Sequence, residues 1–141
     1  MTERPGGPRL PYLVCVRSDD RDALLDALGA WGYDLAHLDG SAAVDGPSLW
    51  AAFADQLGVP DDIRPRGWDG FRDAAFEVLT TAGATRLALI WEHADALVAG
   101  DLQDLLEATS VLEHVMIDVR RNRGIEAIGV LLGDGPGYRS L

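Results

Sequence analysis

The chain has 141 residues, 48 % of them hydrophobic, and a mean hydropathy of +0.02. That is enough for one domain with a proper core. It excludes a membrane protein, since no apolar run approaches the ~20 residues a spanning helix needs. All 12 basic residues are arginine and 23 are acidic, a net charge of −11, which argues against nucleic acid as a partner because phosphate binding needs positive surface. The same charge favours solubility and attraction to a basic partner. Cys15 is the single cysteine, so no internal disulfide is possible. Met1-Thr2-Glu3-Arg4-Pro5-Gly6-Gly7 lacks the apolar core of a signal peptide, and a reducing cytoplasm is the expected compartment.

Residues 1–10, rich in Pro and Gly, read as a loose lead-in. Tyr12-Leu13-Val14-Cys15-Val16 is a short apolar run of the buried-strand type. Asp19 or Asp20 then caps a helix with Leu24, Leu25, Leu28 and Trp31 on one face, ended by Gly32. Tyr33–Leu38 is a second strand, closed by the turn pair Asp39-Gly40. Gly46-Pro47 opens a helix whose apolar stripe is Leu49, Trp50, Phe53 and Leu57 and whose stop is Gly58. Val59–Gly67 holds Pro60 and Pro65 and reads as a loop; Trp68 to Ala82 is helical. Arg86–Trp91 is a third strand, and Ala94–Val98 a short helical piece. A longer helix runs from Asp101 to Arg123, with a break expected at Ser110 and a stop at Gly124. Ile125–Leu132 is the last strand, and 133–141, opening Gly133-Asp134-Gly135-Pro136-Gly137, is expected as a flexible tail. Strands alternating with helices give an α/β expectation: a parallel sheet of about four strands flanked by helices, in one domain over 11–132. The strand runs are apolar throughout, as for strands covered on both faces.

The helix from Trp68 carries the most information. At 100° per residue Trp68, Phe71, Ala75, Val78 and Leu79 share one arc and should face the core. Asp69, Asp73 and Glu77 share another, at i, i+4 and i+8, where like charges repel by about a few tenths of a kcal/mol each. The stripe fits either a solvated face of an acidic protein or a row of carboxylates presented to a cationic partner. Asp61 and Asp62 extend it upstream.

The run Gly67-Trp68-Asp69-Gly70-Phe71-Arg72-Asp73 resembles the start of the inhibitory helix in barstar-type ribonuclease inhibitors. Leu38-Asp39-Gly40 resembles that family's first strand and turn. Gly40 through Leu49, Phe53 and Leu57 to Pro60 fits its first helix without gaps. Leu87-Ala88-Leu89-Ile90-Trp91 resembles its second strand, ending in an aromatic, and Gly124 with the strand after it fits its last helix-strand unit. The resemblance covers residues 35–132 and implies a three-layer fold, with 11–34 as an added β-α unit. It departs from the family in the loop before the helix. Asp61-Asp62-Ile63-Arg64-Pro65-Arg66-Gly67 is one residue longer and lacks the aromatics usual there, and Arg72 replaces the aromatic before the second aspartate.

The resemblance implies binding rather than catalysis, without a cofactor or a metal. Family members occupy the active site of a small basic ribonuclease, their carboxylates standing where substrate phosphates would stand. Carried over residue by residue, Asp73 matches the aspartate that enters the catalytic pocket and Asp69 its flanking partner. Asp62, Ile63 and Trp68 would border the contact, and Asp118 on the last long helix is the nearest candidate for a further acidic contact. The expected protein is a cytoplasmic inhibitor or immunity protein, monomeric when free, binding one basic ribonuclease or other toxin protein. A second reading is a diverged scaffold for a different toxin or partner, favoured by Arg64, Arg66 and Arg72. A third is a small enzyme or cation site at the carboxyl ends of the strands, using Glu92 and Asp95. His37, His93 and His114 lack metal-ligand spacing, and Cys15, inside an apolar strand, reads as a small core residue.

Overall fold

The computed structural model describes residues 10–140. The lead-in expected over 1–10 therefore lies, except for Leu10, outside the described residues, as does Leu141. The elements are β1 (Leu13–Arg17), α1 (Arg21–Ala30), β2 (Asp34–Asp39), α2 (Gly46–Leu57), α3 (Trp68–Thr81), β3 (Arg86–Glu92), α4 (Asp95–Gly100), α5 (Leu102–Asn122) and β4 (Glu126–Gly133). Short 3-10 turns at Ser18–Asp20 and Asp61–Ile63 precede α1 and α3. The four strands are all parallel, in the order β1-β4-β3-β2.

The central strands show why both were apolar throughout. Leu87, Leu89 and Trp91 of β3, with Ala127 and Leu131 of β4, enter one core, shared with Phe53 of α2, Phe71 and Leu79 of α3, and Leu112 and Met116 of α5. The residues between them, Ala88, Ile90, Ile128, Val130 and Leu132, enter a second core under Leu24 and Leu28 of α1. Alternate side chains point to opposite faces of a strand, and here each face is covered. The result is three layers: α1, the sheet, and α2, α3 and α5. Because β1 and β2 form opposite edges, the β1-α1-β2 connection crosses the whole sheet, which places α1 over β4 and β3.

Three local expectations are corrected. Asp20 occupies the cap position of α1 but its side chain makes no capping hydrogen bond; its backbone (φ −95°, ψ 7°) lacks the extended geometry that turns a cap side chain back onto the first turn. Helix α5 runs unbroken through Ser110, which is exposed, while Ala108 and Leu112 beside it are buried. Serine costs a helix only tenths of a kcal/mol, and burial on the opposite face outweighs that. The glycine-rich stretch after β4 turns back along β1 rather than trailing away. Gly135 and Gly137 take positive φ (106° and 92°), open to glycine without strain. Tyr138 then packs on the first core, and the Arg139 backbone bonds to Arg17 N–H (3.0 Å) and Cys15 C=O (3.3 Å). An edge strand leaves such groups unpaired, and this return satisfies two of them.

Side chains reinforce the frame at both ends of the sheet. Arg120 of α5 donates to the carbonyls of Ala127 (2.7 Å), Leu10 (2.9 Å) and Pro11 (2.8 Å), and lies 4.3 Å over the Tyr12 ring. The Ser48 hydroxyl donates to the Asp45 carboxylate at 2.6 Å and the Ser48 N–H donates to it at 2.9 Å, which together hold the carboxyl below its ordinary range, while the Asp45 N–H donates back to the Ser48 oxygen and closes a reciprocal cap. Gly40 donates to the Glu92 carbonyl at 2.7 Å. A Cβ there would press into the indole nitrogen of Trp91 and lie 2.8 Å from that carbonyl oxygen. Gly40→Ala is therefore expected to destabilise by about 1–3 kcal/mol through overpacking, seen as a lower urea midpoint at unchanged m.

Candidate functional site

The loop before α3 and the helix itself are shaped by which residues must be buried. In the loop, Pro65 is buried and Ile63 half-buried against the first core, while Asp61, Asp62, Arg64 and Arg66 are exposed. Pro65 lies so close to the first turn of α3 that a Cβ on Gly70 would sit 3.2 Å from its Cα. On α3 the residues Phe71, Ala74, Ala75 and Leu79 are buried. Phe71 meets Phe53 edge-on at 5.1 Å, and Trp68 stands edge-on to Trp50 at 5.3 Å and to Phe71 at 5.8 Å. These contacts fix the helix by its apolar side and leave Asp69 and Asp73 exposed on the other.

The exposed side borders two depressions. One, about 640 Å³, lies between the loop and α3 and brings together Asp61, Asp62, Ile63, Arg66, Asp69 and Asp73. The other, about 460 Å³, lies between α3 and α5 and is lined by Arg72, Asp73, Phe76, His114, Val115 and Asp118. Asp73 borders both. Two candidates from separate helices therefore meet: Asp73 of α3 and Asp118 of α5. The face also contains Phe76 and His114, which were not among the candidates. The available signal was spacing, since His114 and Asp118 stand four apart on α5 and Asp73 and Phe76 three apart on α3. Arg123 lies 5.1 Å over the Phe76 ring.

Two candidates are placed differently from the rest. Trp68 lines neither depression and sits half-buried beneath the turn that carries Asp69. Glu77 parts from the other two carboxylates of its stripe, bordering a separate hollow with Val59 and Thr81. A helix of 3.6 residues per turn rotates an i, i+4, i+8 row by 40° per step, and that drift carries Glu77 off the face.

Neutralisation by the chain's own guanidinium groups would disable these carboxylates. Among the described residues, Asp61, Asp62, Asp69 and Asp73 form no ion pair. Arg64, which also borders the loop-side depression, pairs with Asp55 of α2 at 2.7 Å. Arg66 and Arg72 remain on the face, exposed and without an ion pair among the described residues. Asp69 lies in the first turn of α3, where the helix dipole favours an anion. Asp118 accepts from the Asn122 amide.

The carboxyl ends of the strands are arranged otherwise. Both Glu92 oxygens are held by Arg21 of α1, at 2.7 and 3.4 Å. Among the described residues no group of three or more His, Cys, Asp or Glu side chains is placed to hold a metal ion. Burial pushes the Cys15 thiol above its ordinary value, away from nucleophile chemistry. No helix of the described residues is long and apolar enough to cross a membrane.

The family model of barstar (barnase inhibitor) matches residues 33–130, from the start of β2 into β4. No curated protein matches the chain. The match leaves β1 and α1 outside it as an N-terminal extension, and takes in the loop, α3 and α5 that form the acidic face. The chain belongs to the barstar family.

Proposed function

We propose that this protein is an intracellular inhibitor that neutralises a basic ribonuclease by one-to-one binding, through the face formed by the 61–67 loop, α3 and α5. One observation carries the reading: Asp69 and Asp73 stand exposed on a helix anchored from below and, among the described residues, form no ion pair. A ribonuclease cleft collects positive side chains to hold phosphates. Rigid carboxylates offer it the same charge without a scissile bond, and a protein of net charge −11 is drawn towards it. Asp73, bordering both depressions, is the anion that enters the cleft. Asp69, Asp62 and Ile63 flank it on the loop side, and Asp118 on the α5 side. The protein acts by occupying the site, without catalysis, as a monomer in the cytoplasm before it meets its target.

RNA cleavage by candidate basic ribonucleases, followed with and without an equimolar amount of this protein, tests the reading. Protection is expected, with an association rate that falls steeply as ionic strength passes from about 0.01 M, where the Debye length is about 30 Å, to about 1 M, where it is about 3 Å. Absence of protection from every basic ribonuclease tried, at low salt and in excess, would sink it.

Arg66 and Arg72 support a second reading, in which the same face recognises a partner with a mixed-charge surface, such as a different toxin domain. The Arg66→Ala/Arg72→Ala variant separates the two. It should bind a basic ribonuclease more tightly and a mixed-charge partner less tightly, by calorimetric titration.

A further inference from the structure

Among the described residues, the exposed large hydrophobics are Val44, Val98, Leu102 and Leu106, at 47, 40, 56 and 55 %. Singly scattered residues of this kind are ordinary. Here Val98, Leu102 and Leu106 line one groove of about 370 Å³, floored by Leu105 and Leu131 and closed on one side by Tyr138. Val44 lies beside its end, against Gly100 at the α4–α5 junction. Among the described residues no charged side chain lines the groove, and it shares no lining residue with the two depressions around Asp73. Leu102 and Leu106 stand four apart on α5 and Val98 reaches the groove from α4, across the extended residue Asp101, so its apolar wall is the first turns of α5 with the end of α4 beside them, a surface of the kind an amphipathic helix packs against.

Charge identifies the occupant. Residues 95–113 carry Asp95, Asp101, Asp104, Glu107 and Glu113 and no arginine. Asp101 and Asp104 already cap helices, Asp101 at the start of α5 and Asp104 at the Gly46 N–H of α2. Glu107 and Glu113 are exposed, and neither forms an ion pair among the described residues. A second copy of this chain would set this acidic segment against another like it, and an anionic lipid surface would be repelled in the same way. We propose that this groove docks an amphipathic helix of a partner protein, with aliphatic side chains along one face and arginine or lysine on its flanks. The surface is independent of the ribonuclease-binding face, so one molecule can engage both partners at once.

A synthetic peptide of about 15 residues, with leucines at i, i+3, i+4 and i+7 and arginines on the flanks, probes the groove in calorimetric and NMR titrations. It should bind the full-length protein and shift the resonances of α4 and the first half of α5. Leu102→Ser/Leu106→Ser, which alters only exposed positions, should weaken binding by about tenfold or more, whereas Asp73→Asn should leave it unchanged. The same peptide with glutamate in place of arginine, or serine in place of leucine, should not bind. The proposal is overturned by no binding, by equal binding of either control peptide, or by affinity that follows Asp73 instead of the two leucines. Self-association that Leu102→Ser/Leu106→Ser abolishes would also overturn it, by assigning the groove to a second copy.

Discussion

Asp73→Ala is expected to weaken the complex with a basic ribonuclease by about 100-fold, since stripping one partner from a desolvated charge pair costs about 3 kcal/mol or more. The free protein should hardly notice. Asp73 is exposed and has no ion-pair partner among the described residues, and surface changes of that kind usually alter stability by no more than about 0.5 kcal/mol. Inhibition titrations and urea unfolding, run on the same preparation, measure the two effects separately. An intact complex with unchanged affinity would remove α3 from the contact. Asp69→Ala should cost less binding energy, because Asp69 borders only the loop-side depression.

Phe71→Ala is expected to destabilise the fold by about 3–5 kcal/mol. Its ring is fully buried and packs edge-on against Phe53 and Trp68. A domain of this size is stable by only about 5–15 kcal/mol, so the loss should appear as a large fall in the denaturation midpoint. Its effect on binding differs in kind from that of Asp73. Phe71 touches no partner and holds down the helix that presents Asp69 and Asp73, so inhibition should fail mainly in proportion to the unfolded fraction. Lowering the assay temperature should restore much of it to Phe71→Ala and none of it to Asp73→Ala.

The parts of this fold that could be read from the residues are those dictated by local burial. β3 and β4 were legible because a strand covered on both faces has no polar alternation to confuse it. α2 was legible because proline stands just inside its start and glycine just past its end. The helix bearing Asp69 and Asp73 was legible from its apolar arc and from the family pattern around it. What escaped depends on partners distant in sequence. Nothing near Leu13–Arg17 shows that β1 lies beside β4 rather than β2, because parallel edge and centre strands carry similar apolar runs. The groove that joins Asp73 to His114 and Asp118 exists only once α3 lies against α5. The pairing of Arg64 with Asp55, nine residues away on α2, also depends on how the loop folds back. The return of 134–140 along β1 was hidden by its glycines, whose composition is that of a tail although their positive φ angles make a turn.

The position of β4 has a consequence for how the chain is made. Among the described residues it is the fourth strand in chain order, yet it lies between β1 and β3 and is the only strand of the sheet that pairs with β1. While residues 126–133 are still inside the ribosome, β1 has no neighbour and α1 has only half of its sheet to cover. The nascent chain therefore cannot close the α1 layer in the order in which its elements appear, and the leucines of α1 need shelter until residues 126–133 have emerged. Messages truncated before Glu126 should yield chains destined for proteolysis rather than for partial function.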